Sequence, residues 1–97
     1  MLYCDLSVGG SAIYTGQVCI NLTPIGNYPY LGFAGGLCWF DSQGALDPSS
    51  PGLGTRFILL YISPTGGQFQ IPVQDVYSQQ FNIVLNGQNC TISLYQK

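Results

Sequence analysis

Apolar and polar residues alternate along most of this chain with the period of two that is typical of β-strands. The clearest case is the segment 81–95, FNIVLNGQNCTISLY, which predicts a hairpin around Asn86-Gly87. Both turn residues tolerate positive φ, and Gly9-Gly10 gives a similar turn signal after the alternating segment Leu2–Val8. Six apolar residues of the hairpin are expected to share one face: Phe81, Ile83, Leu85, Cys90, Ile92 and Leu94.

The same pattern predicts an all-β fold, a single small antiparallel barrel or sandwich of about six or seven strands that is rich in meander connections. Little or no helix is expected, and the best place for one helical turn is Pro72–Ser78. The predicted strands are Leu2–Val8, Ala12–Leu22 with a bend near Gly16, Gly36–Asp41, Arg56–Ser63, Phe69–Val73, Gln80–Leu85 and Cys90–Tyr95.

One predicted strand does not alternate. The run Phe57–Ile62 reads FILLYI and has no charged or strongly polar position. Such a run suits a central strand that is buried on both faces or that packs against a partner chain. On an open edge it would promote aggregation. We therefore expect this strand to hold the core or to form an intersubunit sheet.

Composition narrows the function. Only 6% of the 97 residues are charged, against about 25% in a typical domain. With two basic residues in total, the chain lacks the cations that nucleic-acid binding needs. No apolar run is long enough to span a bilayer as a helix. For these two reasons we expect neither nucleic acid nor a membrane as partner. A low-charge, tyrosine-rich exterior is instead typical of a subunit that other proteins cover.

Candidate chemistry is sparse. The chain has no histidine, which excludes the usual hydrolase triads, and it has no C-x-x-C pair that would favour zinc. Asp41 and Asp47 lie in a loop rich in Pro and Gly, where turn formation explains them better than a catalytic carboxylate pair. We expect no enzyme activity, no metal and no cofactor.

The four cysteines, Cys4, Cys19, Cys38 and Cys90, leave two interpretations open. Three of them lie within apolar alternation, which favours reduced thiols in the core. Two disulfides in a secreted domain are the alternative. A different alternative is a carbohydrate-binding β-module in which Trp39 and the tyrosines stack on sugar rings. The alternation places Trp39 more naturally in the core.

Three stretches resemble the baseplate plug proteins of contractile-tailed bacteriophages when the chain is read in the order 68–97 and then 1–64. The hairpin at 81–95 is similar to the family's opening hairpin, and LYCDLSVGGSAIYTGQVCIN at 2–21 is similar to the strand pair that follows. YLGF at 30–33, GLCWFDSQGALDP at 36–48 and GLGTRFILLY at 52–61 are similar to the family's closing section.

The altered order implies a circular permutant. In this interpretation 1–97 is a single β domain with permuted halves 1–64 and 68–97, and Thr65-Gly66-Gly67 is the linker that joins the old ends. Three residues span at most about 10 Å, so Ser63 and Gln68 must lie that close. The new break would fall between Lys97 and Met1.

Both ends of the chain carry strand patterns, and no leader precedes the first of them. We therefore expect the termini to be neighbours in space. As a specific test, Leu2–Val8 should pair antiparallel with Cys90–Tyr95, as though the chain had never been opened between them.

The resemblance implies a structural role in a virion tail baseplate that is assembled in the bacterial cytoplasm. The protein would plug or close the central hub or tube by protein–protein contacts, with baseplate hub, tube or spike proteins as partners. A homo-oligomer is a further expectation. Two long loops would supply the contacts, and the candidate interface residues are Tyr28, Tyr30, Phe33, Leu53, Thr55 and Arg56. Arg56 has a second interpretation, an ion pair with Asp41 or Asp47 inside the loop.

Overall fold

The computed structural model describes residues 1–26 and 32–97, which form seven β-strands. All pairings between these strands are antiparallel, so the predicted all-β class is confirmed. The described residues include no helix that could cross a membrane. The strands are β1 (Leu2–Val8), β2 (Ser11–Val18), β3 (Gly36–Asp41), β4 (Phe57–Ile62), β5 (Gln68–Ile71), β6 (Ser78–Leu85) and β7 (Gln88–Gln96).

The strands form two sheets that share one core. One sheet has four strands in the order β2-β1-β7-β6, and the other has three in the order β3-β4-β5. Alternate residues of β1, β3, β4, β6 and β7 point inward, as the period of two requires, whereas the irregular β2 does not alternate in this way. The core takes its largest buried side chains from both sheets: Leu2, Leu6, Ile92 and Leu94 from the first, and Leu37, Trp39, Leu59, Tyr61 and Ile71 from the second.

Two tight turns organise the four-stranded sheet. Gly9-Gly10 joins β1 to β2 and Asn86-Gly87 joins β6 to β7, with φ between 51° and 85° at all four residues. Positive φ at both central residues is the type I′ geometry that suits a two-residue hairpin. Both predicted turns are confirmed. The predicted apolar face of the second hairpin is confirmed as well, because Leu85, Cys90, Ile92 and Leu94 are buried and Phe81 and Ile83 pack against them.

The two central strands of this sheet are β1 and β7, the first and last of the described chain. They pair antiparallel from Leu2 opposite Gln96 to Val8 opposite Cys90. Beyond the strands, the Met1 ammonium donates to the Lys97 carbonyl at 2.8 Å, and the Lys97 N–H donates to the Met1 carbonyl at 3.0 Å. The predicted pairing of the two end strands is therefore confirmed.

A hydrogen-bonded turn connects β4 to β5 through residues 63–67. The Ser63 N–H donates to the Gly67 carbonyl at 2.7 Å, and the Gly66 N–H donates to the Ser63 carbonyl at 2.9 Å. Gln68 then pairs with Ile62. Ser63 and Gln68 thus lie as close as a three-residue joint requires.

Four predicted strand limits were wrong by two residues or more. β6 and β7 each begin two residues before the predicted start, and β2 and β5 end early for local reasons. β2 ends at Val18 and not at Leu22, because the following residues leave β1 and run beside β3, where the Leu22 N–H donates to the Trp39 carbonyl at 2.8 Å. β5 ends at Ile71 because Pro72 has no N–H to continue the ladder. The predicted bend near Gly16 is confirmed by its φ of 63° and by a shift of register opposite it.

Candidate protein interface

The outer face of the three-stranded sheet is apolar on β3 and β4, whereas β5 adds the exposed Gln68 and Gln70. In register, Phe40 lies opposite Ile58 and Cys38 lies opposite Leu60, while the residues between them point into the core. Phe40 is 41% exposed and the other members are half-buried. We call this surface the apolar face, and it consists of Cys38, Phe40, Ile58, Leu60 and Ile62.

The apolar face explains why FILLYI does not alternate. Phe57, Leu59 and Tyr61 are buried in the core, and the residues between them form the middle of the apolar face. β4 is the central strand of its sheet, as predicted. One side of this strand therefore packs in the core, and the other side forms the centre of the apolar face.

A hollow of about 130 Å³ lies at one side of the apolar face. It is lined by Pro24, Cys38 and Ile62 among others, and Pro24 forms a β-bridge with Cys38. Leu22, in the same segment beside β3, is 66% exposed. This edge of the sheet therefore adds further apolar surface next to the apolar face.

A buried ion pair fixes the loop between β3 and β4. Arg56 donates from Nε and Nη2 to the two carboxylate oxygens of Asp41, at 2.8 and 2.9 Å. The Gln43 and Leu46 amides each donate to the same carboxylate at 2.9 Å. The bond from Arg56 is the main cause that lowers the pKa of Asp41 well below its usual value, although burial opposes it. The carboxylate organises the loop.

This pair supports the second interpretation of Arg56, the ion pair inside the loop, and does not test the interface role. The internal ion pair with Asp41 is confirmed, and the guanidinium also lies 5.0 Å from the centre of the Phe57 ring. Asp47 has another role, since it accepts the Asn21 N–H at 3.0 Å. Arg56 is half-buried, so the structure gives it a structural function in the loop.

A second carboxylate holds the same loop closer to β4. Asp75 accepts the Ser50 hydroxyl at 2.7 Å and the Gly52 N–H at 2.9 Å. The bond from Gly52 is the first of the causes that lower its pKa. The loop before β4 is thus fixed from both sides.

The described members of the predicted interface set do not form one patch. Tyr28 and Tyr30 lie outside the described residues. Phe33 is 4% exposed, and its ring lies 5.8 Å from that of Tyr61, near the end of β4. The other three members lie just before β4 or at its start, so the structure separates them from Phe33.

Among those three, only Thr55 is freely exposed, and its hydroxyl donates to the Gly52 carbonyl at 3.3 Å. Leu53 is 1% exposed and belongs to the core. The interface role of the whole set stays a prediction. FILLYI predicted that β4 is apolar on both sides, but none of Ile58, Leu60 and Ile62 was included in the candidate interface set.

The outer face of the four-stranded sheet is polar. Tyr3, Asp5 and Ser7 point outward from β1, and Thr91 on β7 donates its hydroxyl to Asn82 at 2.8 Å. Asp5 accepts the Gly16 N–H at 2.7 Å and the Tyr95 hydroxyl at 2.8 Å. The bond to Asp5 raises the pKa of Tyr95. This face satisfies its own polar groups and resembles an ordinary solvated sheet.

The thiols and the tryptophan bear on the two alternative interpretations, a disulfide-bonded secreted domain and a carbohydrate-binding module. All four cysteines are free, three of them buried, and burial raises the pKa of Cys19 to about 12. Trp39 is fully buried, so it is not available for stacking on a sugar. Within residues 1–26 and 32–97, no group of three side chains could hold a metal ion.

The fold is a small two-sheet structure with one polar outer face and one outer face that is apolar on β3 and β4. A sequence model of the family described as "Cyanophage baseplate Pam3 plug gp18" matches residues 1–64, about two thirds of the chain. The chain therefore belongs to this family of phage baseplate plug proteins. No curated protein and no solved structure matches it.

Proposed function

We propose that this protein is a structural subunit of a phage tail baseplate that closes the central hub or tube by contact through its apolar face. Its partners would be hub, tube or spike proteins, and its action would need no catalysis. Family membership supports the baseplate location. The apolar face supports the mode of action, because an uncharged sheet face that no described residue covers gains stability when a partner covers it.

The observation that carries this proposal is the contrast between the two sheet faces. Leu60 lies at the centre of the apolar face, on the central strand of its sheet. Ser7 is its counterpart on the polar face, since it lies on a central strand and points outward. A change at either position leaves the core residues in place, so the two positions form a matched pair.

The test is binding to the hub, tube and spike proteins of the same phage, each purified and measured by calorimetry. We expect Leu60→Lys to weaken binding by at least about tenfold, because a charge would be buried in an apolar contact. Ser7→Lys should bind as the natural chain does. Equal binding by both variants would refute the apolar face as the contact surface, and failure of the natural chain to bind any of the three would refute the plug role.

The circular permutation is a separate proposal. Three observations support it: the family match ends at Pro64, the end strands β1 and β7 pair as neighbours, and a tight turn spans residues 63–67. Strands β5, β6 and β7 lie outside the matched residues, yet β7 lies between β1 and β6. Residues 68–97 would then supply the strands that open the fold in other family members.

A further inference from the structure

The two sheets have four edge strands, and three of them carry features that hinder pairing with another chain. β2 is interrupted by the irregularity at Gly16. β3 is covered by residues 20–25, whose N–H groups donate to Leu37 and Trp39. β5 has only four residues and is followed by Pro72. Within residues 1–26 and 32–97, β6 has none of these protections: its eight residues contain no proline and no charge, and they pair with β7 without a break.

The outward backbone groups of β6 follow from its turn. In a two-residue hairpin the flanking residues, here Leu85 and Gln88, exchange hydrogen bonds, so the odd-numbered residues of β6 direct their N–H and C=O groups to β7. The Gln96 N–H donates to the Tyr77 carbonyl at 2.8 Å, so the odd-numbered residue just before β6 also bonds toward β7. The outward groups therefore belong to the exposed residues Ser78, Gln80, Asn82 and Val84.

An apolar groove of about 250 Å³ lies beside this edge, between β5 and β6. Its apolar lining comes from Phe69 and Ile71 on one side and from Ile83 and Leu85 on the other. Phe69 is 60% exposed although its ring stacks on Tyr61 at 6.3 Å. A strand added to β6 would find hydrogen-bonding groups along its length and an apolar groove under alternate side chains.

We propose that the occupant is β6 of a second copy of this chain, paired antiparallel so that the two four-stranded sheets become one sheet of eight. β6 has the pattern that its own edge accepts, since its odd-numbered residues 81, 83 and 85 are apolar and face inward. A two-fold register centred on Asn82 pairs three of the four outward residues, which are Gln80, Asn82 and Val84, with those of the second copy. It also places Phe81 beside Ile83 of the partner subunit, which extends the core across the junction.

Self-pairing also requires that two identical edges do not repel each other. Residues 76–96 contain no charged side chain, and neither does the lining of the groove. A two-fold axis perpendicular to the sheet keeps the inner sides of both copies together, so the two grooves join and Phe69 is covered in each copy. The proposal does not depend on which baseplate protein binds the apolar face.

The test measures mass and amide exchange on the full chain across a range of concentrations. We expect the mass to rise from 10.5 kDa to twice that value. Over the same range, protection from exchange should rise at the amides of Gln80, Asn82 and Val84. A chain that stays monomeric, or a dimer in which these three amides stay unprotected, would overturn the proposal. Protection that appears only when a hub protein is added would overturn it as well.

Two variants at Asn82 locate the contact. Asn82→Pro removes an outward N–H and no ladder bond, and it should weaken the dimer roughly 10- to 100-fold, since both copies lose a bond. Asn82→Lys places two like charges opposite each other in the dimer and should also weaken it. This variant replaces the proline variant in the test if the proline variant does not fold. Thr91→Val is the control, because it removes the same side-chain bond to Asn82 and leaves the edge intact. Dimers of unchanged affinity in both Asn82 variants would refute this register.

Discussion

The two sheets of this protein have similar inner faces and different outer faces. On the four-stranded sheet, apolar residues alternate with polar ones that bond to each other, as Asp5 does with Tyr95. On the three-stranded sheet, apolar residues occupy both sides of β4. Clean alternation is what a sheet needs when one side meets water, whereas an uninterrupted apolar run is what a sheet needs when both sides are covered. The difference is the reason for our proposal that the three-stranded sheet makes the contact with a partner.

The largest expected effect compares one glycine from each region. Gly35, just before β3, has φ of 99°, and a Cβ there would lie 2.5 Å from the Ile62 carbonyl oxygen and 2.6 Å from the Tyr61 hydroxyl. We expect Gly35→Ala to destabilise the protein by about 3 kcal/mol or more, since backbone strain and overlap add. Urea unfolding followed by the fluorescence of Trp39 would measure this.

Gly16 is the control in the four-stranded sheet. Its φ is 63°, but the nearest atom to an added Cβ is the Tyr95 hydroxyl at 3.9 Å. Gly16→Ala should therefore cost only the strain of the left-handed conformation, about 1–2 kcal/mol. If both variants lose the same stability, close packing at Gly35 is not what distinguishes the two sites.

The next largest effect concerns one carboxylate from each sheet. Asp41→Asn leaves the half-buried Arg56 without its anion, and we expect the melting temperature to fall by roughly 5–10 °C. Asp5→Asn retains an oxygen that can accept from Gly16 and Tyr95, so it should change the melting temperature by less than about 3 °C. Scanning calorimetry of the two variants at pH 7 would make the comparison. An equal loss in both would mean that the ion pair adds nothing beyond ordinary hydrogen bonds.

The pH dependence of stability should follow the same carboxylates. The pKa values of Asp41 and Asp75 are lowered in the folded state, so each stabilises the fold fully above the ordinary aspartate value of 3.8. This stability is lost as pH falls from there toward the lowered values. We expect the melting temperature to fall steeply below pH 4 in the natural chain and less steeply in Asp41→Asn. Parallel curves would contradict the assignment to Asp41.

The sequence predicted the four-stranded sheet better than the three-stranded one, for a physical reason. The β6–β7 hairpin is specified by local features, which are its alternation and the turn at Asn86-Gly87, so its strands and its apolar face were predicted. Its pairing with β1 is a contact between distant residues, and it was predicted from the strand patterns at the two ends of the chain. The path of the segment after β2 was not predicted, because residues 20–25 are held by hydrogen bonds to β3, which lies farther along the chain. A local pattern does not contain such contacts.

The candidate site shows the same limit. The FILLYI run predicted that β4 has two apolar sides, but not which neighbours would extend the outer one. That depended on the register with β3, which places Cys38 and Phe40 beside Leu60 and Ile58. Phe33 and Leu53 were chosen as loop residues, and the structure buries both of them against the core. Loop membership alone does not say whether a side chain points outward.

A smaller effect is expected when the permutation is reversed. A chain that joins Lys97 to Met1 through a short glycine turn and opens at residues 65–67 changes one connection in each sheet. The loop-closure entropies nearly cancel, so the free energy of unfolding should change by only about 1–2 kcal/mol. Urea unfolding and the amide-exchange pattern of β1 and β7 would test this. Failure of the reordered chain to fold would contradict the proposed equivalence of the two orders.

The smallest effect is expected at the two outer faces themselves. Leu60→Lys and Ser7→Lys each place a long side chain on a central strand without touching a core residue, and a lysine stem can lie along the sheet while its ammonium reaches water. We expect both to change the stability of the isolated chain by less than about 0.5 kcal/mol. Binding of an apolar dye should fall in the Leu60 variant alone. This result would show that weaker partner binding in that variant comes from the surface and not from unfolding. A large loss of stability in Leu60→Lys would instead mean that the apolar face is already covered within the chain, and the contrast between the two sheets would no longer mark a contact surface.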